Sequence, residues 1–354
     1  GVSDRLGKVG DVSSIMDYDP DEIKHGYSID ASVAFCEVNA TKLNLLDTPG
    51  NSNFISDTPA CLRVVDGLIF VVGADEGVQF YTEKIWNWAD QLNLPRIIFL
   101  NKLDHERANI APILETIKKK FKKNPVFLQL PNATGENFSG IVDLIDNHYF
   151  SYNKDGKGNG KTGEIPSSIT DEVELGHAEL MEAVAEVDDD LIEIYLEHGE
   201  LTEEQLSKGL KEGIRNGQLI PVICGSALQN MGVDLLLDTA IKYLPSPDMR
   251  APELAKRGDA EVTRSANGGE PTSGLVFKTI ADPYAGKLTL FRIFSGSLKG
   301  DSTIYNATQD TNERVGQLYM LQGKKQVKVA EISEGDIGTV AKLKSTVTGD
   351  TFSD

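Results

Sequence analysis

The sequence predicts an α/β fold: a parallel-sheet domain carrying an inserted α+β subdomain, followed by an antiparallel β-barrel domain. Three observations predict it. Between residues 67 and 123, apolar runs alternate with amphipathic ones in the order strand, helix, strand, helix, which is the order of a parallel sheet with helices on its faces. From 125 to 217 that rhythm gives way to short strand-like pieces and acidic helical segments, and it resumes at Leu219. After Pro245 come short β segments punctuated by Gly300-Asp301, Gly335-Asp336 and Gly349-Asp350, the spacing of a small barrel. The expected domain limits are 1–124 and 218–247 for the parallel-sheet domain, 125–217 for the insertion, 248–270 for a linker and 271–354 for the barrel.

Taken in order, residues 1–30 are polar and poorly periodic, and 17–29 reads as a mobile loop ending at a strand. Residues 31–39 and 42–47 are two strands joined tightly at Ala40-Thr41. Residues 59–65 form a short helix with Thr58 as cap and Pro59 in the first turn. The continuous apolar run 67–73 suits a strand buried on both faces. Residues 81–92 are an amphipathic helix that carries Trp86 into the core and Trp88 on its surface. A buried strand follows at 96–100, then a helix at 105–123 whose lysine-rich end suits its C-terminal dipole. In the insertion, 125–152 holds short strands, 153–163 is a flexible loop, and 171–187, 189–198 and 203–216 are acidic helices. The last of these opens on a capping box, Thr202 to Gln205. The sheet returns at 219–224, although Pro221 argues against the first half of that strand, and 233–243 is again an amphipathic helix.

The chain of 354 residues is long enough for two or three domains. With 40% apolar and 25% charged residues it has the composition of a soluble globular protein. It contains no run of about 18 apolar residues that could span a membrane. Its start, Gly1-Val2-Ser3-Asp4-Arg5, has neither an initiator Met nor a signal peptide and looks like a chain cut open. A net charge of −19 excludes general coating of nucleic acid, while leaving room for local contact with RNA by one face. Cys36, Cys61 and Cys224 are scattered through apolar segments and read as small buried side chains, which fits a reducing, cytoplasmic setting.

Three short motifs carry chemistry, each after an expected strand of one sheet, where open α/β sheets bind ligands. In Asp47-Thr48-Pro49-Gly50, the acid suits a magnesium ion held through water, and the Gly50 N–H suits a terminal phosphate. In Asn101-Lys102-Leu103-Asp104, one carboxylate can accept both neighbouring donors of guanine, N1–H and N2–H, a pair adenine lacks. Asn101 can tie the base to neighbouring loops, and the Lys102 stem can cover its face. Ser226-Ala227-Leu228 forms a small-residue turn whose N–H groups can reach the guanine oxygen. Singly, each motif also reads as an ordinary turn after a strand; their order points to a site for GTP or GDP. The phosphate-cradling Gly-x₄-Gly-Lys-Ser/Thr has no match. Gly160-Lys161-Thr162 comes nearest, but Asp155 stands where the first glycine belongs, and no buried strand or helix flanks it, so it reads as a solvated loop. The first strand and the phosphate loop are expected upstream of Gly1.

These motifs resemble those of the translational GTPases, specifically bacterial elongation factor G, with its P-loop-type G domain. The resemblance runs over essentially the whole chain. It takes in Gly140-Ile-Val-Asp-Leu and Glu200-Leu-Thr-Glu in the insertion and Tyr243-Leu-Pro-Ser-Pro at the domain junction. In the barrel it takes in the stretch from Asp282-Pro-Tyr-Ala-Gly to Gly296, Glu334-Gly-Asp-Ile and Thr348-Gly-Asp-Thr-Phe. It implies binding and hydrolysis of GTP with Mg²⁺ on the ribosome, to promote translocation or a related step, with switch loops at 17–29 and 47–65. It also implies the large-subunit factor-binding site as partner, a stalk protein docking on the insertion, local contact with ribosomal RNA, a cytoplasmic monomer with no membrane, and three further domains after the barrel. The acidic helices read equally as solvated faces.

Two departures stand out. The family reads Asp-Thr-Pro-Gly-His, and this chain has Asn51 in the last place, expected to face the attacking water and orient it as Gln does in other GTPases. The family's Arg-Gly-Ile-Thr-Ile is here His25-Gly26-Tyr27-Ser28-Ile29, in which Ser28 keeps a hydroxyl for the metal with less rotamer restriction. Both point to a divergent paralogue. Asn51 also leaves open a non-hydrolysing, ribosome-associated regulator that uses GTP as a latch. A metabolic P-loop enzyme is disfavoured, because nothing supplies an acid–base pair for a second substrate. Without a phosphate loop, the chain as given is expected to bind nucleotide weakly or not at all. His25 and His105 read as surface loop residues.

Overall fold

The computed structural model describes residue 7 and residues 13–154, 157–282 and 286–353. Asp155 of the phosphate-loop look-alike, residues 283–285 of the barrel motif and residues 1–6 and 8–12 of the polar N-terminal stretch lie outside the described residues. The chain divides into two compact units, 1–66 with 245–354, and 67–244.

The first unit begins with α1 (Pro20–His25), where the sequence suggested only a loop. The Asp19 carboxylate accepts the Asp21 N–H at 2.8 Å, and Glu22 reaches back to the Asp19 N–H at 3.2 Å, a capping box with Pro20 opening the helix. Strands β1 (Ser32–Val38) and β2 (Thr41–Asp47) form a hairpin whose turn places Asn39 and Ala40 at φ 48° and 61°. Contrary to expectation, β2 is not a buried member of the parallel sheet. It pairs antiparallel with β1 alone, and its side chains are half-buried or exposed. A 3₁₀ turn over Ser52–Asp57 leads into α2 (Thr58–Leu62). That turn already carries the helical run, so Thr58 enters with helical dihedrals and is not the cap.

The second unit holds β3 (Leu68–Gly73), α3 (Phe80–Gln91), β4 (Arg96–Asn101), α4 (Ala111–Phe121) and β5 (Asn124–Phe127). Helix α4 starts six residues later than expected, at a first turn containing Pro112. The insertion follows with β6 (Gln129–Pro131), β7 (Gly140–Asp143), β8 (His148–Ser151) and β9 (Lys161–Gly163), a four-stranded antiparallel sheet. Lys161 and Thr162 are therefore in an edge strand, not in a free loop, because β8 offers them a ladder. Helices α5 (Thr170–Ala185), α6 (Asp189–His198) and α7 (Glu203–Arg215) come next, the last with the expected Thr202/Gln205 capping box.

Strand β10 (Leu219–Cys224) is buried throughout and lies between β4 and β5 in a parallel sheet of order β3-β4-β10-β5. Strand β4 pairs with it only from Val222 onward, so Pro221 costs no ladder bond on that side. Strand β3 is the sheet's edge, and Val71 is 61% exposed there, so burial on both faces fails for this strand. Helix α8 (Val233–Tyr243) closes the unit. Trp86 is buried, stacked on Phe121, while Trp88 is half-buried.

Within the expected linker the first unit resumes with a hairpin, β11 (Glu253–Arg257) and β12 (Ala260–Arg264), closed by a turn at Gly258. Then come β13 (Ser273–Asp282), β14 (Gly286–Ser295), β15 (Ser297–Lys299), β16 (Thr303–Asn306), β17 (Thr311–Arg314), β18 (Leu318–Gln322), β19 (Lys325–Val329), β20 (Glu331–Ser333), β21 (Ile337–Ala341) and β22 (Thr351–Ser353). Eight of these form one antiparallel sheet in the order β17-β16-β22-β13-β14-β21-β18-β19, and β15 pairs with β20. Two of the Gly-Asp turns use a left-handed glycine, Gly335 at φ 79° and Gly349 at φ 95°. The N-terminal hairpin and α2 pack on this β-rich domain: Ala31, Val33, Cys61 and Val64 share a core with Phe277, Leu290 and Leu321.

Candidate functional site

In the second unit, β4 and β10 run parallel and adjacent, so the turns after them leave the same edge of the sheet. The Gly225 N–H donates to the Leu100 carbonyl at 3.0 Å, and the Leu103 N–H donates to the Gly225 carbonyl at 3.2 Å. Asn101 Oδ1 accepts the Lys102 N–H at 2.8 Å and the Ala227 N–H at 2.9 Å, stitching one turn to the other. Lys102 sits at φ 63°, a conformation uncommon for a residue with a side chain. Its ammonium meets Asp75 Oδ2 at 3.1 Å. Burial works to raise the Asp75 carboxyl, but the Lys102 hydrogen bond and charge outweigh it and hold the group below the usual carboxylate range.

Leu103 is fully buried, and Asp104 beside it is half-buried. The Asp104 carboxylate meets no hydrogen-bond donor or cation among the described residues. In the second turn, Ser226 is buried, exchanges two backbone hydrogen bonds of 2.9 Å with Met231, and its Oγ accepts the Gln229 N–H at 3.1 Å. Since Asn101 takes the Ala227 N–H, the Leu228 N–H is the one in this turn left for a ligand oxygen. A two-oxygen acceptor on one turn with a free N–H donor on the adjoining turn is the complement of guanine's edge, and adenine would leave both oxygens without partners.

The remaining predicted residues belong to the first unit. Asp47 ends β2 opposite Ser32. The residue keeps an exposed flank, yet burial of its carboxyl, followed by the charges of Asp17 and Glu22, pushes its pKa up to about 6. Ser28 Oγ donates to Asp17 Oδ1 at 2.7 Å. Glu22 is buried and accepts the Ile29 and Asp30 N–H groups at 2.9 and 3.2 Å, which ties down the stretch that carries Ser28.

Among the described residues no three His, Cys, Asp or Glu side chains form a ready-made metal cluster. Magnesium does not require one, because it keeps several waters and takes only one or two protein oxygens. The unrelieved negative charge around Asp47, with the Ser28 hydroxyl bonded to the same Asp17, fits that mode of binding. Thr48 is half-buried and Pro49 buried, while Gly50 is exposed with no atom within 4 Å of where a Cβ would stand, so a ligand can approach its backbone closely. Asn51 Oδ1 accepts the Asn53 N–H at 3.0 Å and so caps the 3₁₀ turn.

The motif reading missed two cations in this unit. Lys278 in β13 is 7% exposed, and its Nζ reaches Asp57 Oδ2 at 2.5 Å, the Ala31 carbonyl at 2.9 Å and Asp30 Oδ1 at 3.3 Å. Arg292 in β14 donates to the Val64 carbonyl at 3.0 Å and to Asp66 at 2.7 Å. A cation inside an otherwise apolar strand is the signal that could have found them, since such groups are buried only when paired.

Compared with known proteins, residues 2–246 match the family model described as Elongation factor Tu GTP binding domain, and residues 271–354 match that of Elongation factor G domain 2. The fold matches a crystal structure of a protein from Thermus thermophilus with a TM-score of 0.87 and 28% sequence identity, over 100% of this chain and 50% of that one. The chain thus spans half the length of that protein. No helix among the described residues is long and apolar enough to cross a membrane.

Proposed function

The chain belongs to the elongation factor Tu GTP-binding family, a family of GTPases, and on that premise we propose that the whole protein binds GTP with magnesium and hydrolyses it on the ribosome, promoting translocation or a related step. The observation that carries the guanine reading is the unpartnered Asp104 carboxylate beside an Asn101 side chain that already ties the two turns together. Asp104 accepts the guanine N1–H and N2–H, the Leu228 N–H faces the base oxygen, and the Lys102 stem covers the ring. Ser28 and Asp47 would hold magnesium, Asp47 through water, and the chemistry it would supply there is neutralisation of phosphate charge. The Gly50 N–H senses the terminal phosphate, and the segments 17–29 and 47–65 respond to its presence. Asn51 orients the water.

The partners on this reading are the large-subunit factor-binding site, a stalk protein on the acidic helices of the insertion, and ribosomal RNA by local contact, with the protein acting as a cytoplasmic monomer. The use of Asn51 as a helix cap favours a second reading, a ribosome-associated regulator that binds GTP without turning it over.

The test is equilibrium binding of fluorescent GDP and XDP to the full-length protein and to Asp104→Asn. The variant should lose guanine affinity by ~100-fold or more, because a donor then faces the N2 donor. It should gain XDP, whose carbonyl replaces that amino group. Unchanged GDP binding in the variant would remove Asp104 from the site. Ribosome-stimulated hydrolysis by the wild type then separates the two readings.

A further inference from the structure

Both base-facing turns are held from behind by the inserted segment. On the first turn, the Gly135 N–H donates to the Leu103 carbonyl at 2.8 Å, and the Leu103 side chain lies in a core shared with Phe138, Ile141 and Tyr152. On the second, the stretch 158–160 closes over Asn230 and the start of α8. A Cβ on Gly158 would stand 2.4 Å from Asn230 Nδ2, so the two chains touch with no room between them. Asp234, in the first turn of α8, receives the Tyr152 hydroxyl at 2.8 Å on one oxygen and the Gly160 N–H at 3.2 Å on the other. Lys154 Nζ joins the two supports by donating to the Glu136 carbonyl at 2.8 Å. Burial and the adjoining carboxylate raise the Tyr152 phenol well above its ordinary value, so it remains a donor across the physiological range.

We propose that Tyr152 and Asp234 are positioning residues, forming a clamp through which the insertion sets how long a guanine base remains bound. This rests on the guanine reading above. Neither residue is placed at the base. They act through the Ser226–Met231 turn, which reaches Asn101 through the Ala227 N–H, and through Leu103, whose neighbour is Asp104. Loosening the clamp lets the two turns drift apart, and the interaction that suffers most is the two-oxygen grip of Asp104. The geometry also makes the insertion a place where an outside contact could hasten nucleotide release, because displacing the stretch 158–160 removes the Gly160 bond directly.

The test uses the full-length protein, Tyr152→Phe and Asp234→Asn, with fluorescent GDP, GDP and IDP as probes. Tyr152→Phe keeps the buried ring and removes only the donor, while Asp234→Asn keeps an acceptor for the hydroxyl. Tyr152→Phe should release GDP about tenfold faster, as expected on losing one hydrogen bond to a charged group. It should also shrink the preference for GDP over IDP, because IDP lacks the amino group and makes only one of the two bonds to Asp104. Asp234→Asn should also release GDP faster than wild type, because its single amide oxygen accepts one of the two donors and its NH₂ is turned on the other. Peptides covering 101–104 and 225–231 should exchange amide hydrogens faster in Tyr152→Phe, with or without nucleotide. Unchanged release and an unchanged GDP/IDP ratio overturn the clamp, as does faster release with the ratio intact, which marks general loosening. If the wild type binds no guanine nucleotide, the guanine reading fails and hydrogen exchange decides alone: unchanged exchange at 225–231 overturns the clamp.

Discussion

Replacing Lys278 by Met removes a buried cation while keeping a stem of similar length in the core. The loss can be worked bond by bond. The Ala31 carbonyl, 2.9 Å from Nζ, is left without this donor at a cost of about 1–3 kcal/mol. Asp57 loses its ion pair but keeps the Ala31 N–H at 3.3 Å, and its side chain is 30% exposed, so water recovers part of the loss. Asp30 is 73% exposed and adds almost nothing. The sum is about 2–4 kcal/mol, under the ~3–5 kcal/mol for breaking a fully buried pair. The segments joined by Nζ, around 28–36 and 55–66, should therefore exchange amide hydrogens about 30- to 800-fold faster. Trp86 and Trp88 both lie in the other unit, so their fluorescence in urea serves as the internal control. Exchange unchanged in those two segments, or a shift of the tryptophan transition equal to the exchange effect, would refute the claim that Lys278 fastens them to the β-rich domain.

Asn51→His removes the cap of the 3₁₀ turn, costing about 1 kcal/mol, and should raise single-turnover GTP hydrolysis on ribosomes by ~10-fold or more if this position faces the water; an unchanged rate limits Asn51 to capping. Glu313 gives a pH test. Burial raises its carboxyl, but hydrogen bonds from the Lys344, Ser345 and Thr346 N–H groups and the Thr346 hydroxyl outweigh burial and hold it below the ordinary value. A carboxyl depressed in the folded state contributes stability that is fully present above the unfolded value of about 4.3 and is lost as pH falls through the lower folded value. Wild type should therefore lose stability below that pH more steeply than Glu313→Gln, as followed by urea midpoints from pH 6 down to ~3; parallel curves would discard this account.

The fold was legible wherever local pattern and end signals agreed. Helix α8 and strand β10 fall where periodicity put them, and the Thr202 capping box starts α7 as read. Helix α1 was missed although Asp19, Pro20 and Glu22 spell its start, because six residues are too few to show a period. Strands β1 and β2 were both recognised as strands, and β2 was assigned to the wrong sheet. An apolar run says that a strand exists, whereas its partner is set by distant residues such as Phe277 and Leu321. The Asn101–Ala227 tie was foreseeable, since an acceptor at the end of one strand needs a donor at the end of the next. Lys278 stands out as a cation within an apolar strand, but its partner was not foreseeable, because Asp57 lies 221 residues away.

Asn51 shows where motif reading and geometry pull apart. Its Oδ1 accepts both the Asn53 N–H at 3.0 Å and the Ser52 hydroxyl at 3.4 Å, so while the cap stands both lone pairs are engaged and the side chain can offer a ligand only its amide N–H groups. Such a donor can hold a water by its oxygen, and it cannot accept that water's proton. A cap that persists when GTP is bound therefore makes Asn51 a holder of water rather than a base, and makes the protein slow to hydrolyse. Hydrolysis assisted by the Oδ1 requires the 52–57 turn to give up its cap, at a cost of about 1 kcal/mol, which contact with a ribosome can readily supply. The two proposed readings thus reduce to one local equilibrium, cap closed or cap open, at residue 51. Ribosome-dependent loss of amide protection at Asn53, accompanying hydrolysis, would place the protein among switching GTPases, and persistent protection with bound GTP would make it a latch.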